Sequence, residues 1–438
     1  MSCPRRWWLW LPLWRASSFA TAFFPPTITL WAFLAQVLDA DGSCRQAVSR
    51  VIAFFQQQGL APPSPETGAY CKARIRLPEG LLARLVHQTG ANLEARLKST
   101  SLWHGLRLLV ADGTGISMPD TPENQAAYPQ PSSQAPGCGF PVLRLVVIFS
   151  LLTGALLQYA LGPLHSSEMA LFRSLLDQLT SGDLLVADRY YGVFAVIAGV
   201  QERHVHGLFR VAASRTTDFR RGKRLGKEDH LVAWQRPSIR PRNLTDDEYA
   251  HLPAQLLLRE VRGQIDIPGW RTREVILVTT LLDPVQYPRQ ELLDLYALRW
   301  QCELRLRDLK IALHMDVLRT LSPEMVRKEL LARLLAYNLI RTLLWTAGQH
   351  HHVDPMRLSF KGALQHIRAF APFLAATSAR TRAELFTLLL SVLAQELVPR
   401  RPERVEPRLK KRRPKSYGWL QKPRPLCKRL LSLGRSLK

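Results

Sequence analysis

Apolar residues recur every three to four positions from about residue 27 to residue 100. The runs "TITLWAFLAQVL" and "SCRQAVSRVIAFFQQQGL" therefore predict helices, with Asp41 or Ser43 as a cap and Gly59 as a stop. "GAYCKARIRLPEGLLARLVHQTGANLEARL" predicts further basic helix. The period changes at "LRLLVADGTG", where a short apolar run ends in Asp112 and Gly113, as a buried strand ends in a turn. Residues 118–141 hold six prolines in twenty-four positions and predict a loop. "LRLVVIFSLL", "TG" and "ALLQYALGP" read as a hairpin, "SSEMALFRSLLDQL" as a serine-capped helix, and "GDLLVADRYY" as a strand halted by Asp188. The pentapeptide "LLVAD" occurs at 108–112 and again at 184–188; with no other self-similarity around it, it predicts two similar strands and not a repeat. "GVFAVIAGVQER" predicts a helix. Residues from about 203 to 280 alternate short apolar runs with basic, Gly- and Pro-containing turns and read as strands. Helical spacing returns from about 323 to 400.

Between these regions lies "YALRWQCELRLRDLK", residues 296–310. On one continuous helix Tyr296, Arg299, Glu303, Arg307 and Lys310 fall within roughly an 80° arc, beside an apolar stripe of leucines and Cys302. One carboxylate among three cations is an ion-pair ladder unless other residues give it a further task.

Charge supplies such a task. The chain of 438 residues carries a net +25, with 47% hydrophobic residues, which suits a globular protein with a polyanionic partner, nucleic acid before membrane. Residues 400–438 contain fifteen Lys and Arg against two Glu and read as a flexible polyanion-binding arm. The six cysteines, at 3, 44, 71, 138, 302 and 427, form no CxxC pair, which argues against a disulfide scaffold or zinc ribbon and for a reducing cytoplasm. No uncharged stretch reaches the length of a membrane-spanning helix.

Strand–Asp, hairpin, helix, strand–Asp, helix, insertion, strand and helix–Glu is the chain order of an α/β protein with a ribonuclease-H-like catalytic core. It predicts a helical N-terminal region at 1–100, core at 101–202, a β-strand-rich insertion at 203–273, core again at 274–322, a helical C-terminal region at 323–399 and a basic tail at 400–438. In such a core Asp112, Asp188 and Glu303 converge, and their mutual repulsion calls for a hard cation with oxygen ligands. Two Mg²⁺ ions about 4 Å apart would activate an attacking oxygen and stabilise a leaving one in phosphodiester displacement. Arg299, Arg307 and Lys310 would then hold DNA phosphates, and Tyr296 would hydrogen-bond one.

Tyr296-x2-Arg299-x3-Glu303-x6-Lys310 resembles the YREK signature of DDE transposases of the insertion-sequence-four family. "DGTG" at 112–115 is similar to that family's first aspartate motif and "GDLLVADRYYGVF" at 182–194 to its second; "ADGSCRQAVSRVIAFF", "AYNLIRTLL" and "KKRRPKSY" extend the resemblance over roughly residues 25–420. The resemblance implies a transposase that binds the terminal inverted repeats of its element in double-stranded DNA, cleaves the ends and joins them to target DNA. It implies Mg²⁺ or Mn²⁺, a homodimeric synaptic complex and work on the bacterial nucleoid. It also implies Asp112, Asp188 and Glu303 as catalytic metal ligands, and Tyr296, Arg299 and Lys310 as contacts to the DNA ends. A catalytically inactive or nuclease-only DNA-binding remnant is the alternative. Residues 1 to about 20 depart from the family pattern, as after an upstream truncation or frame shift. Trp270 and Trp300 are candidates to stack on an unpaired base, with packing as the plainer role.

Overall fold

Four helices lead the chain: α1 (Pro26–Leu38), α2 (Cys44–Gln57), α3 (Gly68–Arg76) and α4 (Glu79–Glu94). There follow β1 (Arg107–Ser117), α5 (Pro122–Ala127), β2 (Val142–Ser150), β3 (Leu156–Pro163), α6 (Glu168–Arg173), β4 (Asp183–Ala187), α7 (Phe194–Glu202) and β5 (His206–Arg210). Next come β6 (Lys223–Gly226), β7 (Asp229–Gln235), α8 (Asp246–Ala250), β8 (Gln255–Gln264) and β9 (Glu274–Thr279). Helices α9 (Arg289–Ala297), α10 (Trp300–Arg307), α11 (Pro323–His350), α12 (Phe360–Ala376), α13 (Ala379–Gln395) and α14 (Arg424–Ser432) complete it. This is a computed structural model that describes residues 24–212, 215–265, 274–399 and 419–433. The first twenty residues, most of the basic tail and Trp270 lie outside the described residues, although α14 shows that part of the tail is helical.

One mixed sheet of nine strands, in the order β3-β2-β1-β4-β5-β9-β8-β7-β6, organises the described residues. Side chains alternate across a strand, so each central strand feeds two cores. Leu108 and Val110 of β1, Leu184 and Val186 of β4 and Leu208 of β5 join α4 and α9–α11 in the larger one. Leu109, Ala111, Leu185, Ala187 and Phe209 join α6 and α7 in the other. Buried Asn338 of α11 knits three elements of the first layer together. Its Nδ2 donates to the carbonyls of Val86 (3.1 Å) and Leu156 (2.9 Å), and its Oδ1 accepts from the Leu156 N–H (2.9 Å).

The two "LLVAD" segments lie side by side. Strands β1 and β4 pair in parallel with Leu108 opposite Leu184 and Val110 opposite Val186, so the same register carried onward sets Asp112 level with Asp188. The pair one step earlier fixes that register: Arg107 lies opposite Asp183 and donates to both its oxygens at 2.7 Å. Asp183 is 1% exposed and also accepts from the Thr180 N–H (2.9 Å). A slip by one residue would turn both aspartates to the opposite face.

Strand β1 does not stop at Asp112, as the sequence suggested, but continues to Ser117, paired with β2 throughout. Gly113 and Gly115 leave room there, and the chain following α10 returns to this extension, with the Ser117 N–H donating to the Asp316 carbonyl (3.0 Å) and the Leu318 N–H to the Ser117 carbonyl (2.9 Å). The proline-rich segment before β2 likewise holds a short helix, α5, capped by Thr121.

The strand-rich segment extends the central sheet: β9 pairs with β5 on one side and β8 on the other. Fully buried Arg259 of β8 donates to both oxygens of Asp229 (2.8 and 2.5 Å) and to the Tyr287 carbonyl (2.7 Å), tying these outer strands to the approach to α9.

Replacing Asp183 by Ala should cost about 2 kcal/mol, because it strands Arg107 and the Thr180 N–H while Arg107 keeps part of its hydration. Urea unfolding of the wild type and of Asp183→Ala measures the loss.

Candidate active site

Asp112 and Asp188 each orient one carboxylate oxygen on a nearby backbone N–H. Gly113 donates to Asp112 Oδ1 and Tyr190 donates to Asp188 Oδ1, both at 2.8 Å. Burial pushes Asp112 up to about 6, against the pull of the Gly113 N–H and Arg299, and the carboxylates of Asp188 and Glu168 push it further. The shift is thus mainly one of burial, with the neighbouring carboxylates a smaller part of it.

The segment carrying Tyr296, Arg299, Glu303, Arg307 and Lys310 is not one continuous helix. Helix α9 ends at Ala297, and bonds from the N–H of Leu298, Arg299, Gln301 and Cys302 to the carbonyl three residues back tighten the chain before α10. After Arg307 the winding loosens into a π turn, Asp308–Ala312, which carries Lys310; such turns recur at functional sites. The five side chains consequently do not share one solvated stripe. Tyr296 is 2% exposed; burial pushes its hydroxyl up to about 12, opposed by Arg299, with Asp188 and Arg210 also close enough to act on it. Arg299 is mostly buried and donates to Glu303 Oε1 at 2.9 Å. Burial works against its charge, and Tyr296, Glu303 and Asp112 more than compensate. Lys310 Nζ donates to Thr114 Oγ1 at 3.0 Å, two residues beyond Asp112. Arg307 is exposed, as is Trp300 at 42%.

The expected convergence of three carboxylates is incomplete here. The Glu303 side chain, 43% exposed, is engaged by Arg299, and among the described residues no three His, Cys, Asp or Glu side chains form a metal-holding group. The physical reason is the i,i+4 spacing of Arg299 and Glu303, which favours their mutual pair. A carboxylate left without a role in the sequence does reach the site. Glu168, the first residue of α6, accepts from the Tyr191 hydroxyl (2.8 Å) and lies 4.0 Å from Arg144 Nε. A Cβ on Gly113 would stand 2.5 Å from its carboxyl carbon. The signal was present in the glycine after Asp112 and in a helix that starts just after the hairpin, but only the fold joins them.

Oxygen donors of this kind suit a hard divalent cation. Asp112 and Asp188 are the carboxylates that could hold one.

Residues 103–339 match the family model described as the transposase DDE domain. Transposase InsG of insertion sequence element IS4, from Escherichia coli strain K12, is 28% identical over 397 residues, 90% of this chain and 86% of the relative. The Escherichia coli transposase of insertion sequence element IS421 is 42% identical over 65 residues, 15% of this chain and 18% of the relative. Among solved structures, a piggyBac transposase synaptic complex with hairpin DNA aligns over 88% of this chain and 81% of that chain, with a TM-score of 0.41 and 10% identity.

Gly113→Ala should destabilise the fold by about 1–3 kcal/mol through overpacking against Glu168. Gly115→Ala, whose Cβ would meet only Val142 Cγ1 at 3.3 Å, should cost less. A double-mutant cycle of Gly113→Ala with Glu168→Ala, followed by urea titration, should recover most of the Gly113→Ala loss.

Proposed function

Because the chain belongs to the transposase DDE domain family and is an enzyme of DNA transposition, we propose that Asp112, Asp188 and Glu303 are its catalytic carboxylates, within a ribonuclease-H-like core. The observation that carries this reading is the parallel register that sets Asp112 level with Asp188 while α10 packs beside β1. The order β3-β2-β1-β4-β5, antiparallel up to β1 and parallel from β1 to β5, supports that core. On this reading α1–α4 take part in recognising the terminal inverted repeats, and β6–β9 form the insertion.

When bound, Mg²⁺ or Mn²⁺, as two ions, supplies activation of the attacking oxygen and neutralisation of the leaving one. The chain's own residues must hold that centre and deliver DNA to it. Asp112 and Asp188 are preset by their backbone N–H partners. Glu303 is released when a DNA phosphate takes Arg299. An i,i+4 ion pair contributes only about 0.3–0.5 kcal/mol, so a bidentate guanidinium–phosphate contact readily replaces it. Arg307 and Lys310 hold flanking phosphates, and Tyr296, close to Arg299 and Asp188, orients the one between. The products are cleaved element ends that are joined to target double-stranded DNA by a synaptic homodimer, at the bacterial nucleoid in the cytoplasm. No helix among the described residues is long and apolar enough to cross a membrane.

Linear DNA bearing the element's terminal inverted repeats should be nicked at its ends and joined to a target plasmid in Mg²⁺. Asp112→Asn and Glu303→Gln should each lower both steps by about 10³-fold or more while leaving DNA binding intact. Cleavage by either variant at the wild-type rate would end this assignment, and cutting without joining would return the nuclease-only alternative. Arg307→Ala should weaken binding to all DNA sequences alike and lower the slope of log affinity against log salt by about 0.9, measured by fluorescence anisotropy.

A further inference from the structure

The N-terminal helices carry a pair of sulfurs that the DNA chemistry does not use. Cys44 opens α2 and Cys71 lies in α3, 27 positions on, so no CxxC spacing announces them. The fold brings their Sγ atoms to 3.9 Å, and both side chains are half-buried free thiols. Cys138, Cys302 and Cys427 sit elsewhere, in the proline-rich segment, α10 and α14.

A small core, separate from the two that flank the sheet, packs α1, α2 and α3 together through Ala32, Val48, Val51, Tyr70 and Ala73. Beside it lies a polar knot. Gln36 accepts from the Tyr70 hydroxyl (2.7 Å) and Arg74 Nη1 (3.2 Å), and its Nε2 donates to the Gly42 carbonyl (2.9 Å) just before α2. Arg74 is 8% exposed, with its guanidinium 5.0 Å from the Tyr70 ring centroid and 5.3 Å from that of Phe33. Held in this way, its Nη2 donates to Cys44 Sγ at 3.2 Å and to Cys71 Sγ at 3.7 Å. One cation therefore faces both sulfurs.

That cation separates the two chemistries open to a pair of thiols. A soft metal ion there would stand beside a fixed positive charge, because arginine stays protonated. Sulfur that becomes anionic during thiol–disulfide exchange is instead favoured by the same charge. Burial pushes the Cys44 thiol up, Arg74 opposes this, and the neighbouring Cys71 adds to the rise. The pair therefore rests as thiols, and its advantage toward an oxidant is proximity and not acidity.

We infer that Cys44 and Cys71 form a reversible dithiol–disulfide site that fastens the start of α2 to α3. The oxidant is a low-molecular-weight disulfide. One protein thiolate attacks it, forming a mixed disulfide and releasing one small thiolate. The second protein thiolate attacks the protein sulfur of that mixed disulfide, closing the Cys44–Cys71 bond and releasing the second small thiolate. The two cysteines lose two electrons, the oxidant gains them, and the two protein protons end on the released thiols. The new bond closes a loop over the mostly exposed, proline-containing segment 59–67. None of this depends on how the aspartates of the sheet are used.

The test transfers the full chain from reducing buffer into graded mixtures of reduced and oxidised glutathione without oxygen. Samples are quenched by alkylation and their peptides mapped by mass spectrometry. A Cys44–Cys71 linked peptide, formed within one chain, should appear at about tenfold less oxidised glutathione than is needed to load Cys138. Dithiothreitol should restore both thiols. In Cys44→Ser the link should be lost and Cys71 should carry glutathione instead, and Cys71→Ser should do the converse at Cys44. Three results would each overturn the inference: a separate glutathione on both Cys44 and Cys71 of the wild type, pairing of either with another cysteine or another chain, or both remaining thiols after Cys138 has reacted.

Discussion

The parallel contact between Arg107–Val110 and Asp183–Val186 is the constraint on which the centre of this molecule depends. Hydrophobic burial alone would place two Leu-Leu-Val segments in neighbouring strands without choosing their offset, because their apolar side chains are nearly interchangeable. The ion pair of Arg107 with Asp183 removes that freedom, since a two-pronged contact between a guanidinium and a buried carboxylate tolerates no shift along the strand. Five residues on from each partner stands an aspartate. The two aspartates are thus set level by a salt bridge at the far end of the same strands.

A second layer of control comes from the chain that crosses β1. The extension of β1 beyond Asp112 receives Lys310, in the middle of the π turn, at Thr114 and the backbone of residues 316–318 at Ser117, so the segment from the turn onward is tied to β1 at two points. That arrangement fixes α10 while leaving Glu303 at its exposed edge. The division of labour is plain in the burial: Tyr296 and Arg299 lie inside the protein, whereas Glu303 and Arg307 face out. The signature spacing therefore encodes a layered arrangement, with Tyr296 and Arg299 inside and Glu303, held by Arg299, and Arg307 at the surface.

Much of this was legible beforehand. The hairpin, the serine-capped helix after it, the strand ending at Asp188 and the long C-terminal helices all follow from local periodicity and turn chemistry, which report directly on backbone conformation. The family was legible too, because Asp112, Asp188 and the Tyr296–Lys310 spacing stand in order along the chain. The position of Glu168 against Gly113 and Tyr191 escaped, since nothing local distinguishes a glutamate that packs there from one that merely favours the helix dipole. The break between α9 and α10 escaped because a tightened turn followed by a widened one keeps the average apolar period almost intact. The run of β1 past Asp112 was hidden for a related reason. Two glycines look like a turn, yet here they are the residues small enough for neighbours to close in.

The outer strands add a mechanical consequence. Because β9 is hydrogen-bonded to both β5 and β8, the peripheral strands cannot swing as an independent flap without tearing a ladder. Any pull on β6–β8 is transmitted along the sheet to β5, and from there to β4 and the loop that bears Asp188. Arg259, locked between Asp229 and the carbonyl before α9, provides a second rigid strut to the opposite side of the same centre. Force applied at the rim would arrive at β5 and at the approach to α9 together, so the sheet and the helices after it would shift as one.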